Sequence, residues 1–263
     1  MTEEPCDLEA RGELEPMGSA RRFRTDDDHA EIWRFSRSDE KRAGRLLTLG
    51  ERRVGGFVRG GLDAEGVWLV RRAVPTSRAD RGARPWPEAL GIVHALGGAL
   101  AACEARGLFP GPLKWAEITL DPPGIVAEAL VRAIVGAPAT ASRTSAEPSL
   151  KWTPPEQAAG ASWDSAANRY VLGLVAYRLI SGKHPFEGAG LRHAAEAQAA
   201  GEPAPFEAEI AASLKPGVQS FVLRLLAADV KARPASAKAI AAAIDELLQM
   251  PRAASPPVVN RQE

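Results

Sequence analysis

The hydrophobic pattern of the chain changes its period partway along, and this change limits the folds that the chain can adopt. From Trp163 onward, apolar residues recur at the three- and four-residue spacing of helices. In the first third, the run "AEIWRFSR" over residues 30–37 alternates as a half-buried strand does. Strands followed by helices predict an α+β fold with two lobes. The helical stripes are Leu172, Val175, Ala176 and Leu179; Val218, Phe221, Val222 and Leu225; and Ile240, Ala243, Ile244 and Leu247.

Turn and cap signals predict where the other elements lie. Two strand-like runs flank a Gly/Asp-rich turn and predict a hairpin over residues 53–74. Pro87 suits the first turn of a helix that ends at Gly107, and Ser236 is placed to cap the last helix. The remaining expected elements are a short helix over 38–50, short strands over 117–121 and 124–131, and a long polar loop over 136–150.

Composition excludes several classes of protein. The 263-residue chain has a formal net charge of zero, and a chain without basic excess is a poor nucleic-acid binder. Its two cysteines, Cys6 and Cys103, are too few and too far apart for a disulfide framework or a zinc site. No apolar run approaches the roughly 18 residues that span a bilayer. With no signal-peptide pattern at the N-terminus, we expect a cytoplasmic protein without a membrane span.

Three segments of the C-terminal half carry motifs of one family in the right order. They are "WTPPEQ" at 152–157, "NRYVLGLVAYRLISGKHPF" at 168–186 and "LLAADVKARPASAKAI" at 225–240. Together they resemble the large lobe of protein kinases, most of all that of the bacterial serine/threonine kinases. They look like the end of the activation segment, the long buried helix with its Gly-x-x-Pro-Phe turn, and the Asp-x-x-x-Arg-Pro-Ser segment.

This resemblance covers about residues 30–248, loosely before residue 50, and implies a two-lobed kinase-like fold with a reduced N-lobe. We expect the N-lobe and hinge over 20–74 and the helical C-lobe over 75–249. The mostly acidic residues 1–19 and the proline-rich residues 250–263 are expected to be disordered tails.

The catalytic chemistry of the family is missing from the matching positions. Phosphoryl transfer needs metal ligands and a carboxylate that orients the attacking hydroxyl. The stretch "GLFPGPLKWAEITL" falls on the kinase catalytic loop, and its His-Arg-Asp positions carry Pro110, Gly111 and Pro112. Proline offers neither a base nor a metal ligand. Lys114 retains the lysine of the loop, and Glu117 replaces the metal-binding asparagine, so we expect no catalytic residue and no metal site.

The other nucleotide-binding motifs are equally degenerate. The metal-binding Asp-Phe-Gly falls on Leu130, Val131 and Arg132. Before the first predicted strand, only Gly12 and Gly18 are found where a phosphate-covering loop needs closely spaced glycines. The lysine of the small lobe falls near Arg34 and its helix glutamate near Arg42, which would replace an ion pair with two like charges. The hinge, whose backbone contacts a purine ring in kinases, falls on Arg71, Arg72, Ala73 and Val74.

Three structural positions of the family are occupied. The resemblance pairs Glu156 with Arg233 beneath the activation segment, although two unrelated surface charges are the alternative. Asn168 stands where kinases use an aspartate to brace the backbone of the catalytic loop, and a neutral amide can still accept hydrogen bonds there.

These losses favour a pseudokinase, a kinase-like domain that acts as a regulatory or scaffolding module in signalling. Its expected partner is another protein, such as an active kinase or its substrate. The alternative is an atypical active serine/threonine kinase in which Asp121 or Glu128 takes over metal binding. A third hypothesis is nucleotide binding without catalysis. We expect no cofactor, and ATP with magnesium is the one candidate that the resemblance leaves open. Ser142, Thr144 and Ser145 are candidate acceptors of phosphate from another kinase.

Overall fold

The computed structural model describes residues 6–8, 10–17, 19–25, 30–49, 56–72, 82–111, 113–120, 123–135, 152–161, 164–186, 191–201 and 203–249. Its strands are β1 (Ala10–Met17), β2 (Ala20–Thr25), β3 (Ala30–Phe35), β4 (Phe57–Asp63), β5 (Gly66–Arg72), β6 (Ile118–Leu120) and β7 (Pro123–Ile125). Its helices are α1 (Glu40–Leu47), α2 (Trp86–Glu104), α3 (Ala127–Val135), α4 (Pro155–Ala158), α5 (Ser165–Ser181), α6 (Leu191–Ala200), α7 (Ala208–Ser213), α8 (Val218–Leu225) and α9 (Ala237–Gln249). Short 3₁₀ turns lie at Arg37–Asp39, Trp115–Glu117 and Val230–Ala232.

Five strands of the first lobe form one antiparallel sheet in the order β1-β2-β3-β5-β4. Residues opposite each other on paired strands share a face of the sheet. Trp33 lies opposite Arg22 on β2 and Leu69 on β5, and these residues define the inner face. The inner face packs on Ala43 and Leu46 of α1 and joins the main core. The outer face carries a separate cluster built on Ile32, Trp68 and Val70, against which Cys6 and Leu8 pack.

The second lobe is built around α5. Nearly every residue of this helix is buried, as expected of a helix that is apolar on all sides. Helix α2 packs against both α5 and α9, and α8 packs against α5. The predicted cap of the last helix is present, because Ser236 Oγ accepts a hydrogen bond from the Ala239 N–H at 3.1 Å. The predicted α+β fold with strands before helices is therefore confirmed.

The first lobe is larger than predicted. Residues 10–17 were expected to lie in a disordered acidic tail, but they form β1 on the edge of the sheet. They pair with the basic strand β2, and Arg21 of β2 forms an exposed ion pair with Glu13 of β1 at 3.0 Å. The sheet thus has five strands instead of the three predicted. It begins at residue 10, and not at residue 20 as expected for the N-lobe. The tail predicted over 250–263 and the loop over 136–150 lie outside the described residues.

One predicted strand is wrong for most of its length. The run over 124–131 was expected to be extended, but the strand ends at Ile125 and α3 begins at Ala127. Alanine, glutamate and leucine favour helix here. The helical spacing of Leu130, Val131 and Ile134 buries all three in the core.

Within the described residues, none of the helices combines the length and apolar character that crossing a membrane demands.

Candidate functional site

The segment that matches a kinase catalytic loop follows α2. The chain turns at Gly107, whose φ of +63° favours glycine, and Leu108 is buried against the main core. Pro110 is also buried, Gly111 takes a second positive φ of +73°, and Pro112 lies outside the described residues. This loop therefore runs over the core without presenting an acidic group at the His-Arg-Asp positions.

Glu117 closes the next turn of the chain. Its carboxylate oxygen Oε2 accepts a hydrogen bond from the backbone N–H of Lys114 at 3.0 Å. Its own N–H donates to the Lys114 carbonyl at 2.9 Å, and its carbonyl accepts from the Val126 N–H at 2.9 Å. The residue is only 9% exposed. The group that resemblance assigns to metal binding therefore supports the local backbone in this structure.

Helix α3 occupies the region where the second metal-binding motif falls. Leu130 and Val131 are both 0% exposed and belong to the main core. The helix contacts α1 of the first lobe and also β1, the edge strand of the sheet. Arg132 and Glu128 lie on α3 with side chains outside the described part. The residues that the resemblance puts at the metal-binding motif therefore belong to a helix whose described side chains are mostly buried and apolar.

Metal ligands do not converge elsewhere in the described part of the chain. No group of three or more histidine, cysteine, aspartate or glutamate side chains is placed there to hold a cation. Asp121, which the alternative hypothesis needs together with Glu128, lies outside the described residues.

The inner face of the sheet carries a partly buried ion-pair network. Arg71 of β5 donates to Glu31 Oε2 at 3.0 Å, and Arg22 of β2 pairs with the other carboxylate oxygen. The Arg22 guanidinium also lies 5.1 Å from the ring centroid of Trp33. Burial alone would raise the pKa of Glu31, but hydrogen bonding and charge from Arg22 and Arg71 lower the pKa below its ordinary value. This network was not predicted, and it becomes visible only when the strand register is known.

One of the predicted hinge residues is part of that network. Arg71 turns its side chain to the inner face, where it is 15% exposed. Arg72 ends β5, but its side chain lies outside the described part, as do Ala73 and Val74 entirely. The hinge prediction for these positions stays a prediction.

The expected pair of like charges in the small lobe is not formed. Arg34 lies opposite Trp68 on the outer face and pairs there with Asp63 at 2.9 Å. Arg42 pairs with the buried Asp39 at 3.1 Å. The placement of the family's lysine near Arg34 stays a prediction, and a shift of one residue along the strand would move that position to the opposite face of the sheet. Its neighbour Trp33, fully buried, occupies the inner face instead.

The structure brings Glu156 and Arg233 together. Arg233 Nη1 and Nη2 donate to the two carboxylate oxygens of Glu156, each at 2.7 Å. The guanidinium also donates to the carbonyl oxygens of Ala227 at 2.8 Å and Ala166 at 3.1 Å. Its carbon atom lies 4.8 Å from the ring centroid of Tyr170. A bidentate pair of this kind fixes the end of the activation segment to the helical lobe.

Asn168 lies near the start of α5 and is 2% exposed, but it does not act as the expected brace. Its Oδ1 atom accepts no hydrogen bond. The catalytic-loop positions 110 and 112 are prolines, which have no backbone N–H to donate to a brace of this kind. A neutral amide tolerates this loss better than a buried carboxylate would.

An aromatic cluster joins the catalytic-loop segment to the activation segment. The rings of Trp115 and Trp152 stack with centroids 5.3 Å apart, and Arg178 of α5 lies 4.7 Å from the Trp115 centroid. His184 packs edge-on against Trp152 at 5.7 Å and is buried, and its Nδ1 accepts from the Phe186 N–H at 3.3 Å. This cluster was missed, although the two tryptophans flank the motifs that carried the resemblance.

The sequence has relatives among bacterial kinases. It is 31% identical over 172 residues to serine/threonine-protein kinase pkn2 of Myxococcus xanthus, which covers 62% of this chain and 21% of that relative. It is 33% identical over 105 residues to serine/threonine-protein kinase PknA of Mycobacterium tuberculosis, which covers 39% of this chain and 24% of that relative. Serine/threonine-protein kinase pkn3 of Myxococcus xanthus is 33% identical over 93 residues, covering 34% of this chain and 16% of its own length. No family model matches the chain.

These relatives and the two-lobed fold support membership of the protein kinase superfamily. The chain spans less than a quarter of the length of each relative.

Proposed function

We propose that this chain is a kinase-like domain without phosphoryl-transfer activity, a pseudokinase that acts by binding another protein in a regulatory or scaffolding role. The observation that carries the proposal is the environment of Leu130. The resemblance puts this residue at the position of the family's metal-binding aspartate, and in the structure it is fully buried in the main core on α3. Without that carboxylate, this position offers no ligand to the magnesium ion that accompanies a nucleoside triphosphate.

The inner face of the sheet supports the same proposal from the side of the nucleotide. Trp33 is fully buried there, and Arg22 and Arg71 each pair with Glu31. A nucleotide lying under this face would have to displace these ion pairs, and breaking one partner out of a largely buried pair is costly. We therefore expect affinity for ATP to be weak or absent.

A thermal-shift titration tests nucleotide binding directly, because a ligand of the native state raises the melting temperature by mass action. The purified protein is titrated with ATP to millimolar concentration, with and without magnesium, beside an active bacterial serine/threonine kinase as positive control. We expect a shift for the control and none for this protein.

A phosphotransfer assay tests catalysis in parallel, with labelled ATP, magnesium and a general protein substrate. A matched preparation of the Arg233→Ala variant reveals label that a contaminating kinase transfers. Transfer by the wild type that this variant lacks would refute the proposal. If that transfer also disappears in Asp121→Asn combined with Glu128→Gln, the atypical kinase is the correct alternative.

A further inference from the structure

An exposed aromatic side chain lies beside the catalytic-loop segment. Phe109 is 50% exposed, although its neighbours Leu108 and Pro110 are both buried. Within the described residues, it is one of two large apolar side chains that are exposed, the other being Leu248 on α9. Scattered exposed apolar residues are ordinary, so Phe109 gains meaning only from what surrounds it.

Its surroundings are basic. Lys41 and Arg45 lie four residues apart on α1, which places them on one side of the helix, and both are exposed. Arg37, in the 3₁₀ turn before α1, is also exposed, and its Nη2 donates to the Asp63 carbonyl at 3.1 Å. Arg45 reaches the loop that carries Phe109, because its Nη1 atom lies 3.3 Å from the place of a β-carbon at Gly107. We call this surface the α1 basic edge, made of Arg37, Lys41, Arg45, Arg106 and Phe109. The chain has zero net charge, so the cations that lie together on this surface are balanced by acidic residues elsewhere. A surface with a local excess of cations favours an acidic partner.

Within the α1 basic edge, the Arg106 side chain is held by three hydrogen bonds. Arg106 donates from Nη2 to the Thr48 carbonyl and from Nε to the Thr48 hydroxyl, both at 2.7 Å. It also donates from Nη1 to the Ala102 carbonyl at 3.1 Å. These bonds tie the C-terminal ends of α1 and α2 together across the two lobes. A side chain that is already ordered loses little conformational entropy on binding, and arginine and aromatic residues are frequent energetic centres of interfaces.

We propose that the α1 basic edge binds an acidic, extended segment of a partner protein that ends in an apolar residue. Lys41 and Arg45 are separated by about 6 Å along the helix axis, close to the roughly 6.6 Å that two residues of an extended strand span. Carboxylates at alternate positions of an extended peptide therefore match successive cations of the edge. An apolar residue after them meets Phe109. This inference names a partner class and a surface for the proposed partner-binding function, on which it rests.

The test is a fluorescence-polarisation titration with a labelled synthetic peptide in which glutamate occupies alternate positions and two leucines follow. The full chain is used as wild type and as Arg45→Glu, Phe109→Ser and Arg224→Glu. Arg224 is an exposed arginine on α8, so its reversal makes the same change of net charge far from the edge. Thermal unfolding of each variant verifies that it is folded, and Phe109→Ser keeps the test decisive if Arg45→Glu does not fold.

We expect Arg45→Glu and Phe109→Ser each to weaken peptide binding at least about tenfold, as energetic centres of interfaces do, and Arg224→Glu to bind as the wild type does. Binding should also weaken with added salt, because exposed charges are screened. The proposal is overturned if the peptide does not bind at millimolar protein, if Arg224→Glu weakens binding as much as Arg45→Glu, or if a scrambled peptide of equal charge binds equally well. Equal binding of a single-stranded oligonucleotide of the same charge would also overturn it in favour of unspecific polyanion binding.

This outcome is independent of catalysis. If the peptide binds through Arg45 and Phe109 and the protein also transfers phosphate, the pseudokinase proposal is refuted and binding at the α1 basic edge is retained. If the peptide does not bind and no phosphate is transferred, only the proposal for the α1 basic edge is refuted.

Discussion

Arg233 and Glu156 lie 77 residues apart in the sequence, yet the guanidinium of one holds both carboxylate oxygens of the other at 2.7 Å. The Arg233 side chain is 0% exposed and that of Glu156 is 17% exposed. This contact joins α4, at the end of the activation segment, to the loop before α9.

Replacing Glu156 with alanine should lower the free energy of unfolding by roughly 3–5 kcal/mol, because it leaves a buried guanidinium without its carboxylate. Urea denaturation measures the change. The matched control is Glu207→Ala, since Glu207 also pairs with a cation, Lys183, but both side chains are more than half exposed. That control should cost less than about 1 kcal/mol. Equal losses in the two variants would contradict a structural role for the buried pair.

The Glu31 network should make stability depend on pH. Burial raises the pKa of Glu31, but hydrogen bonding and charge from Arg22 and Arg71 lower it by more. The pKa is therefore below its ordinary value in the folded state, which favours the carboxylate. Its contribution is therefore present above the unfolded-state pKa of about 4.3 and is lost as pH falls through the lower pKa of the folded state.

Thermal unfolding of Glu31→Gln and wild type from pH 7 to pH 3 measures this effect. We expect the melting temperature of Glu31→Gln to be below that of the wild type at pH 7, and the difference between the two melting temperatures to disappear towards pH 3. Glu13→Gln is the control, because Glu13 pairs with Arg21 on the exposed edge of the same sheet. A gap for Glu31→Gln that stays constant with pH would show that the carboxylate charge does not stabilise the fold.

Restoring an aspartate at position 130 should destroy the fold without restoring a metal site. Leu130 is 0% exposed in the main core, and an ionised carboxylate buried there without a partner is severely destabilising. Leu130→Ala, the volume control, should cost about 2–5 kcal/mol. Circular dichroism and thermal unfolding are followed with and without millimolar magnesium. A folded Leu130→Asp variant that magnesium stabilises would mean that the position is close to a functional metal site.

Two helical glycines should respond to alanine in opposite ways. A β-carbon at Gly173 of α5 would lie 2.7 Å from the Leu225 β-carbon and 3.0 Å from Leu226, so α8 would have to move. Gly173→Ala should therefore cost about 1–3 kcal/mol.

At Gly97 of α2, the nearest atom would lie 3.7 Å away, which is an ordinary contact. Gly97→Ala should be neutral or stabilise by up to about 1 kcal/mol, because alanine is the better helix former. Chemical denaturation of both variants compares the two positions. A destabilised Gly97→Ala with an unaffected Gly173→Ala would show that α5 and α8 are not in close contact.

The helical lobe was predictable because its signals are local. The stripe that contains Leu172 and Leu179 and the cap at Ser236 lie within single helices, and the structure has them as expected. Strand β1 was not predictable in this way. Its acidic residues have the composition of a solvated tail, and its pairing with β2 is a contact between strands that the composition of β1 alone does not encode.

The candidate site was only partly predictable for a related reason. The sequence shows which residue types are missing, so the absence of a catalytic carboxylate at Pro110 to Pro112 is visible in the printed chain. The sequence does not show on which face of a sheet a side chain lies. Arg34 and Trp33 are neighbours in sequence, but only the register with Trp68 and Leu69 tells that Trp33 is the one that faces inward.

Helix α3 restricts what its segment of the chain can do chemically. Leu130 and Val131 are fully buried in the main core, and the helix that carries them contacts both α1 and the edge strand β1. An acidic side chain at either position could reach water or a cation only if the helix unwound and the core beneath it were rebuilt. A metal site in this segment would therefore need many coordinated substitutions, whereas changes on the exposed surface of the same lobe leave the core intact.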